Sequence, residues 1–194
     1  MSRDPASFEA QEPLESELDP AVDGRRPAEH APGEFAVPDG VALLSGQPRG
    51  RRPVALVISR FNSEITQAML ERALDELAEL GVAAPSVTVM PVPGAFELPL
   101  AAMALAKTRQ FACVVALGCV IRGETPHFEF VAGEAASGLQ LAALETGVPV
   151  AFGVLTVDTR AQAEARIDRA AQAVRSGLEM ADAFVQLRDA ATGG

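Results

Sequence analysis

The chain has only two histidines, and one of them lies in the stretch CVIRGETPHFEFV (119–131). An apolar run ends there, and Arg122, Gly123, Glu124, Thr125, Pro126 and His127 follow together. A histidine ordinarily titrates at about 6.5, so it can both take and give a proton near neutrality. Gly123, Glu124 and Thr125 precede the start of a helix, where free backbone N–H groups favour an anion such as phosphate. Arg122 could add a guanidinium to that anion. Other readings stand beside these: a histidine at a helix start, ordinary cap chemistry, and a surface salt bridge. Two phenylalanines in polar loops, Phe61 and Phe96, could be flat walls for a heterocycle, or core residues. Glu97 could accept hydrogen bonds from ring N–H groups, or serve as a helix first-turn carboxylate. Asp158 reads as helix-start chemistry.

The elements that must position these residues are regular. PVALVIS (53–59) is a continuous apolar run, the pattern of a strand buried on both faces. Asn62 or Ser63 can cap the next helix, whose Ile65, Met69, Ala73, Leu77 and Leu80 fall at helical spacing before Gly81. SVTVMPV (86–92) is a second strand, PGAFE breaks it, and a helix runs from about 97 to 109. FACVVALGCV (111–120) is the third strand, followed by a helix from about 128 to 146, closed by Gly147. PVAFGVLT (149–156) is the fourth strand. Thr159 and Gln162 form a capping box, and a last helix carries Ile167, Ala171, Val174, Leu178, Ala181 and Val185 on one face.

Four successive βα units predict an α/β fold, a three-layer αβα sandwich with a flavodoxin-like parallel sheet of four core strands in the order 2-1-3-4. Ligands of open parallel sheets bind at the C-terminal ends of the strands. The loops at that edge contain Phe61, Asn62, Phe96, Glu97, Arg122 to His127 and Asp158, so the topology places these residues in one neighbourhood. The outer loops are widely spaced, and a neighbouring subunit could complete the site. Neither GxxxxGK[ST] nor GxGxxG occurs at a strand–helix turn, so the usual nucleotide sites are unsupported.

Composition narrows the class further. The net charge is −10, which argues against a nucleic-acid backbone as partner. No apolar run approaches the ~18 residues of a membrane span, and the N-terminus lacks the pattern of a secretory signal, so a cytoplasmic location is expected. Cys113 and Cys119 share one strand about 20 Å apart, too far to bridge, and no Cys/His metal spacing occurs. Residues 1–45 are rich in Pro, Glu, Asp and Ala without an apolar period, the composition of an acidic disordered extension before a domain over 46–190. It reads as a solubilising segment or as a docking segment. GVALLSG (40–46), just before the domain, reads as a short extended piece.

Five stretches in order resemble the 6,7-dimethyl-8-ribityllumazine synthase family: RFN (60–62), VPGAFELP (92–99), GCVIRGETPHFEFV (118–131), GLQLAALETGVPVAFGVLT (138–156) and QAEAR (162–166). The resemblance implies condensation of 5-amino-6-(D-ribitylamino)uracil with 3,4-dihydroxy-2-butanone 4-phosphate, the penultimate step of riboflavin biosynthesis, with no metal or organic cofactor. It implies that Phe61 stacks on the pyrimidine, with Asn62 of the same motif beside it. Ala95, Phe96 and Glu97 would hold the pyrimidine and ribityl groups, and Val120 and Ile121 would add backbone contacts. Gly123, Glu124 and Thr125 would bind phosphate, and His127 would transfer protons. Phe152 and Arg166 would come from an adjacent subunit, with Arg166 on the phosphate. The family forms pentamers and in some members sixty-subunit shells, with riboflavin synthase or other cargo as a partner class.

One departure stands out. The family has a GNKG turn whose lysine approaches the site; here IDRAAQAVRSG (167–177) puts Val174 in that column. Arg169 and Arg175 are the neighbouring cations that could replace the charge. The departure leaves a second hypothesis beside the enzyme: a related shell or ligand-binding protein with weak or no catalysis. A generic flavodoxin-like regulatory module is a third, which the in-register motifs disfavour.

Overall fold

The computed structural model describes residues 33, 35–49 and 52–192. Most of the expected acidic extension therefore lies outside the described residues. The chain folds as β1 (Val54–Ser59), α1 (Ser63–Glu79), β2 (Val87–Val92), α2 (Leu98–Lys107), β3 (Cys113–Ile121), α3 (His127–Thr146), β4 (Val150–Val157), α4 (Arg160–Glu164) and α5 (Arg169–Thr192). Short 3-10 turns at Ala84–Ser86 and Ala95–Glu97 precede β2 and α2. The four strands are parallel in the order β2-β1-β3-β4, as the βα pattern required.

The continuous apolar strands are explained by burial on both faces. Val54, Leu56 and Ile58 of β1 pack with α1 and α5, on the same side as Val115 and Leu117 of β3. Ala55 and Val57 point the other way, onto the layer of α2 and α3. Cys113 and Cys119 face the α1/α5 side of β3 as buried thiols, and burial pushes them up to about 12 and about 11. Gly81 and Gly147 end α1 and α3 with positive φ, which a Cβ disfavours. β2 is an edge strand. It keeps Val89 and Met90 more than a third exposed and accommodates Pro91, which a central strand could not.

One expectation is corrected. The last helix does not extend back to Ile167. Thr159 caps a separate short helix, α4, and a turn over 165–168 redirects the chain before α5 starts at Arg169. The piece over 40–46 lies before β1 and belongs to no sheet. It runs as irregular chain against α5, where Gln186 Nε2 donates to the Ser45 carbonyl and the Gln47 N–H to Asp182.

One polar contact is buried within this core. The Glu76 side chain on α1 is fully buried, with Arg72 Nη2 at 2.9 Å and Arg175 Nη2 of α5 at 2.6 Å. The Arg175 contact lacks hydrogen-bond geometry, so Glu76 Oε1 is held by charge alone. Arg72 also donates to Asp168 at 2.8 Å, so the network fastens α1 to α5.

Candidate active site

Four loops leave the C-terminal edge of the sheet, and each is fixed by local hydrogen bonds. After β1, the Phe61 N–H donates to Ser59 Oγ at 3.2 Å. Asn62 occupies the left-handed region (φ 56, ψ 47), which asparagine tolerates better than most residues. It sits at the helix N-cap, where its carbonyl accepts from the N–H groups of Ile65 and Thr66. Its side chain does not cap; Nδ2 donates instead to the Cys119 carbonyl at 2.9 Å, tying the β1 loop to β3.

After β2, the Gly94 N–H donates to Glu97 Oε2 at 2.8 Å. Glu97 is thus the helix-start carboxylate, and one of its oxygens remains without a protein donor among the described residues. After β3, the Arg122 N–H bonds the Val157 carbonyl. The Arg122 side chain donates to Asp158 at 2.9 Å and Glu129 at 3.2 Å, and its guanidinium lies 4.3 Å from the Phe128 ring centroid. Of the readings open for Arg122, the structure supports the salt bridge. After β4, the Asp158 N–H donates to Gln162 Oε1, and Thr159 Oγ1 accepts from the Gln162 N–H. The reciprocal bond of the expected capping box is therefore made by the Asp158 N–H, one residue before the cap.

Between the first three loops and the first turn of α3 lies a cavity of about 660 Å3, within the usual range for small-molecule sites. Its lining includes Phe61, Asn62, Ala95, Phe96, Glu97, Val120, Ile121, Gly123, Thr125 and His127. Phe61 is 69% and Phe96 57% exposed, so neither ring belongs to the core. His127 is the exposed first residue of α3, and its ring has no hydrogen-bond partner among the described residues. The backbone N–H groups of Gly123, Glu124 and Thr125 likewise meet no protein acceptor there. The site offers two aromatic walls, a run of free N–H groups at a helix start, and one imidazole.

Three of the expected site residues lie outside this cavity. Glu124 is in the loop but does not line it. Phe152 lies on β4, opposite Ala116 and five residues before the strand's end, roughly 16 Å below the edge. Arg166 lies in the turn after α4 and donates to the Gln162 carbonyl at 2.9 Å. The topology also grouped Asp158 and Arg122 with the cavity; they pair with each other beside it.

The two cations near Val174 are also engaged. Arg175 is at Glu76, and Arg169 donates to Gln172. Val174 itself is fully buried beneath the sheet on the α1/α5 side, away from the cavity.

The cavity walls also include Phe128, Phe130 and Val131, which reasoning from the sequence did not assign. The signal was present: a helix that starts at the ligand edge turns its first residues towards it, and HFEFV is that first turn. Among the described residues, no group of three or more His, Cys, Asp or Glu is placed to hold a metal ion. No described helix is long and apolar enough to cross a membrane.

Known proteins resemble this chain over most of its described length. The family model described as 6,7-dimethyl-8-ribityllumazine synthase matches residues 52–189. A 6,7-dimethyl-8-ribityllumazine synthase of Edwardsiella ictaluri (strain 93-146) is 56% identical over 130 residues, covering 66% of this chain and 81% of that protein.

Proposed function

This chain belongs to the 6,7-dimethyl-8-ribityllumazine synthase family, and we propose that the cavity between Phe61, Phe96 and His127 is where it joins its two substrates. It is a transferase that condenses 5-amino-6-(D-ribitylamino)uracil with 3,4-dihydroxy-2-butanone 4-phosphate, releasing phosphate and water. The observation that carries the placement is the single imidazole at the start of α3, opening into a cavity with exposed aromatic walls.

In this reading the pyrimidine stacks on Phe61, between Asn62 and the turn Ala95–Glu97. The free Glu97 oxygen accepts from its polar N–H groups, and the backbone of Val120 and Ile121 borders its edge. The amine attacks the ketone of the second substrate to form an imine with loss of water. Phosphate then leaves, and the ribitylamino nitrogen closes the second ring onto the remaining carbonyl with loss of a second water. His127 moves the protons these steps require, an effect worth about 10²–10⁴-fold. Holding two substrates in one cavity supplies much of the rest. The phosphate sits at the N–H groups of Gly123, Glu124 and Thr125, where the start of α3 favours negative charge.

Phe152 and Arg166 serve the cavity of an adjacent copy. Val174 supplies no charge, so Arg166 and the backbone carry the phosphate. The chain self-associates as a pentamer or a larger shell, with the unpaired edge of β2 and its exposed Val89 and Met90 as contact surface. Residues 46–190 form the catalytic unit, in the cytoplasm, and residues 1–45, whose Ser45 is tied to α5, are the extension that engages riboflavin synthase or another cargo.

The test is turnover. Purified protein is mixed with both substrates, and lumazine absorbance and fluorescence are followed above the uncatalysed rate. Substrate binding without acceleration would favour the ligand-binding alternative and sink the enzyme assignment.

A further inference from the structure

The opposite edge of the sheet has a concavity of its own. The segments leading into β1, β3 and β4 meet α5 there, around a cavity of about 210 Å3. Four arginines line it: Arg49, Arg52, Arg109 and Arg188. Phe111 and Phe184 contribute apolar wall. It shares no residue with the catalytic cavity.

This clustering is unusual for the chain. Acidic residues outnumber Lys and Arg by 26 to 16. Arg72, Arg122, Arg160 and Arg175 all pair with carboxylates. Arg166 and Arg169 bond Gln162 and Gln172. Arg60 apart, the described arginines with no such partner are the four at this cavity. The one carboxylate on the wall, Asp182, accepts from the Gln47 N–H and Gln186 Nε2. Arg109 is held in the left-handed region at φ 58, a conformation disfavoured for a residue with a Cβ.

We infer that this notch binds a small organic phosphate. Guanidinium forks match phosphate oxygens in pairs. The Phe111 and Phe184 rings give the attached ring or chain an apolar seat. The volume equals about seven waters, room for one phosphate and a short organic group.

Calorimetric titration of the full-length protein with phenyl phosphate and with inorganic phosphate tests this. The wild type should bind phenyl phosphate at this notch in addition to any uptake at the catalytic cavity, and more tightly than inorganic phosphate. An Arg109→Gln/Arg188→Gln variant should lose that site. Removing two charged donors at roughly 1.5–3 kcal/mol each weakens it by more than a hundredfold, while turnover stays unchanged. Both side chains are exposed, so the variant should fold. A double variant with the wild-type isotherm would overturn the site. Equal affinity for the two phosphates would overturn the organic ligand.

Discussion

Restoring the family's lysine at Val174 should damage this protein rather than improve it. Val174 is fully buried in the cluster that joins α5 to the sheet, among residues such as Cys113, Val115 and Leu155. Val174→Lys adds length to a packed site, which costs roughly 1–3 kcal/mol. It also brings an ammonium into apolar surroundings, at several kcal/mol, whether the charge is buried or given up by deprotonation. The nearby buried carboxylate, Glu76, already faces two arginines. Val174→Met is the control, because its unbranched chain adds similar length without charge. If the charge adds on the order of 3 kcal/mol, the two variants separate by about 1.5 M in urea midpoint at a slope near 2 kcal/mol/M. Protein concentration must be held fixed, since self-association contributes to stability. Turnover at varied 3,4-dihydroxy-2-butanone 4-phosphate should show no lower KM for Val174→Lys. Near-equal midpoints together with a lowered KM would show that α5 can reopen into the family's turn, and the reasoning from burial would fail.

His127→Ala should lower kcat by about 10²–10⁴-fold and change unfolding by less than about 0.5 kcal/mol, because the ring is exposed and unpartnered; turnover within threefold of wild type would remove it from its role. Gly138→Ala should lower the melting temperature, since the added Cβ would meet Pro99 Cβ of α2 at 2.6 Å. That crowding, roughly 1–3 kcal/mol, outweighs the ~1 kcal/mol helix gain, and a raised melting temperature would contradict it. The two thiols predict alkaline sensitivity. Burial raises them to about 12 and about 11, whereas in the unfolded chain they ionise near 9.0. Their contribution is whole below about pH 9 and falls away as pH rises through the folded values. A Cys113→Ala/Cys119→Ala variant should show a flatter decline in urea midpoint above pH 9; an unchanged slope would refute the assignment.

The fold was legible because burial on both faces of β1 and β3 writes itself as unbroken apolar runs, and the parallel βα order then puts four loops on one edge. Phe61, Phe96 and His127 could be grouped on that argument alone. What the pattern could not specify were choices between equivalent partners. Asn62 had a cap to make and made a cross-strand bond to Cys119 instead. Arg122 had a possible phosphate and took Asp158 and Glu129. The break before Arg169 was hidden because Ile167 continues the apolar period although it lies in a turn. The arginine-lined notch was invisible for another reason: Arg49, Arg52, Arg109 and Arg188 are scattered along the chain and meet only through the return of α5 past the strand starts.

The positions of Phe152 and Arg166 bear on how the site is completed. Neither lines the cavity of its own chain, and Phe152 lies well below the ligand edge. The expectation is that Arg166, acting on phosphate, serves the cavity of another copy across a heterologous contact. Mixed oligomers decide this. His127→Ala and Arg166→Ala chains are each inactive alone when both residues are required. In an equal random mixture, half the chains supply His127, and half of their neighbours supply Arg166. About a quarter of the cavities are then complete, and activity returns to about that fraction of wild type. If Arg166 instead served its own chain's cavity, no mixture would assemble an intact site. Activity that stays at the level of the separate variants after unfolding and co-refolding would place Arg166 in its own chain's cavity or outside catalysis.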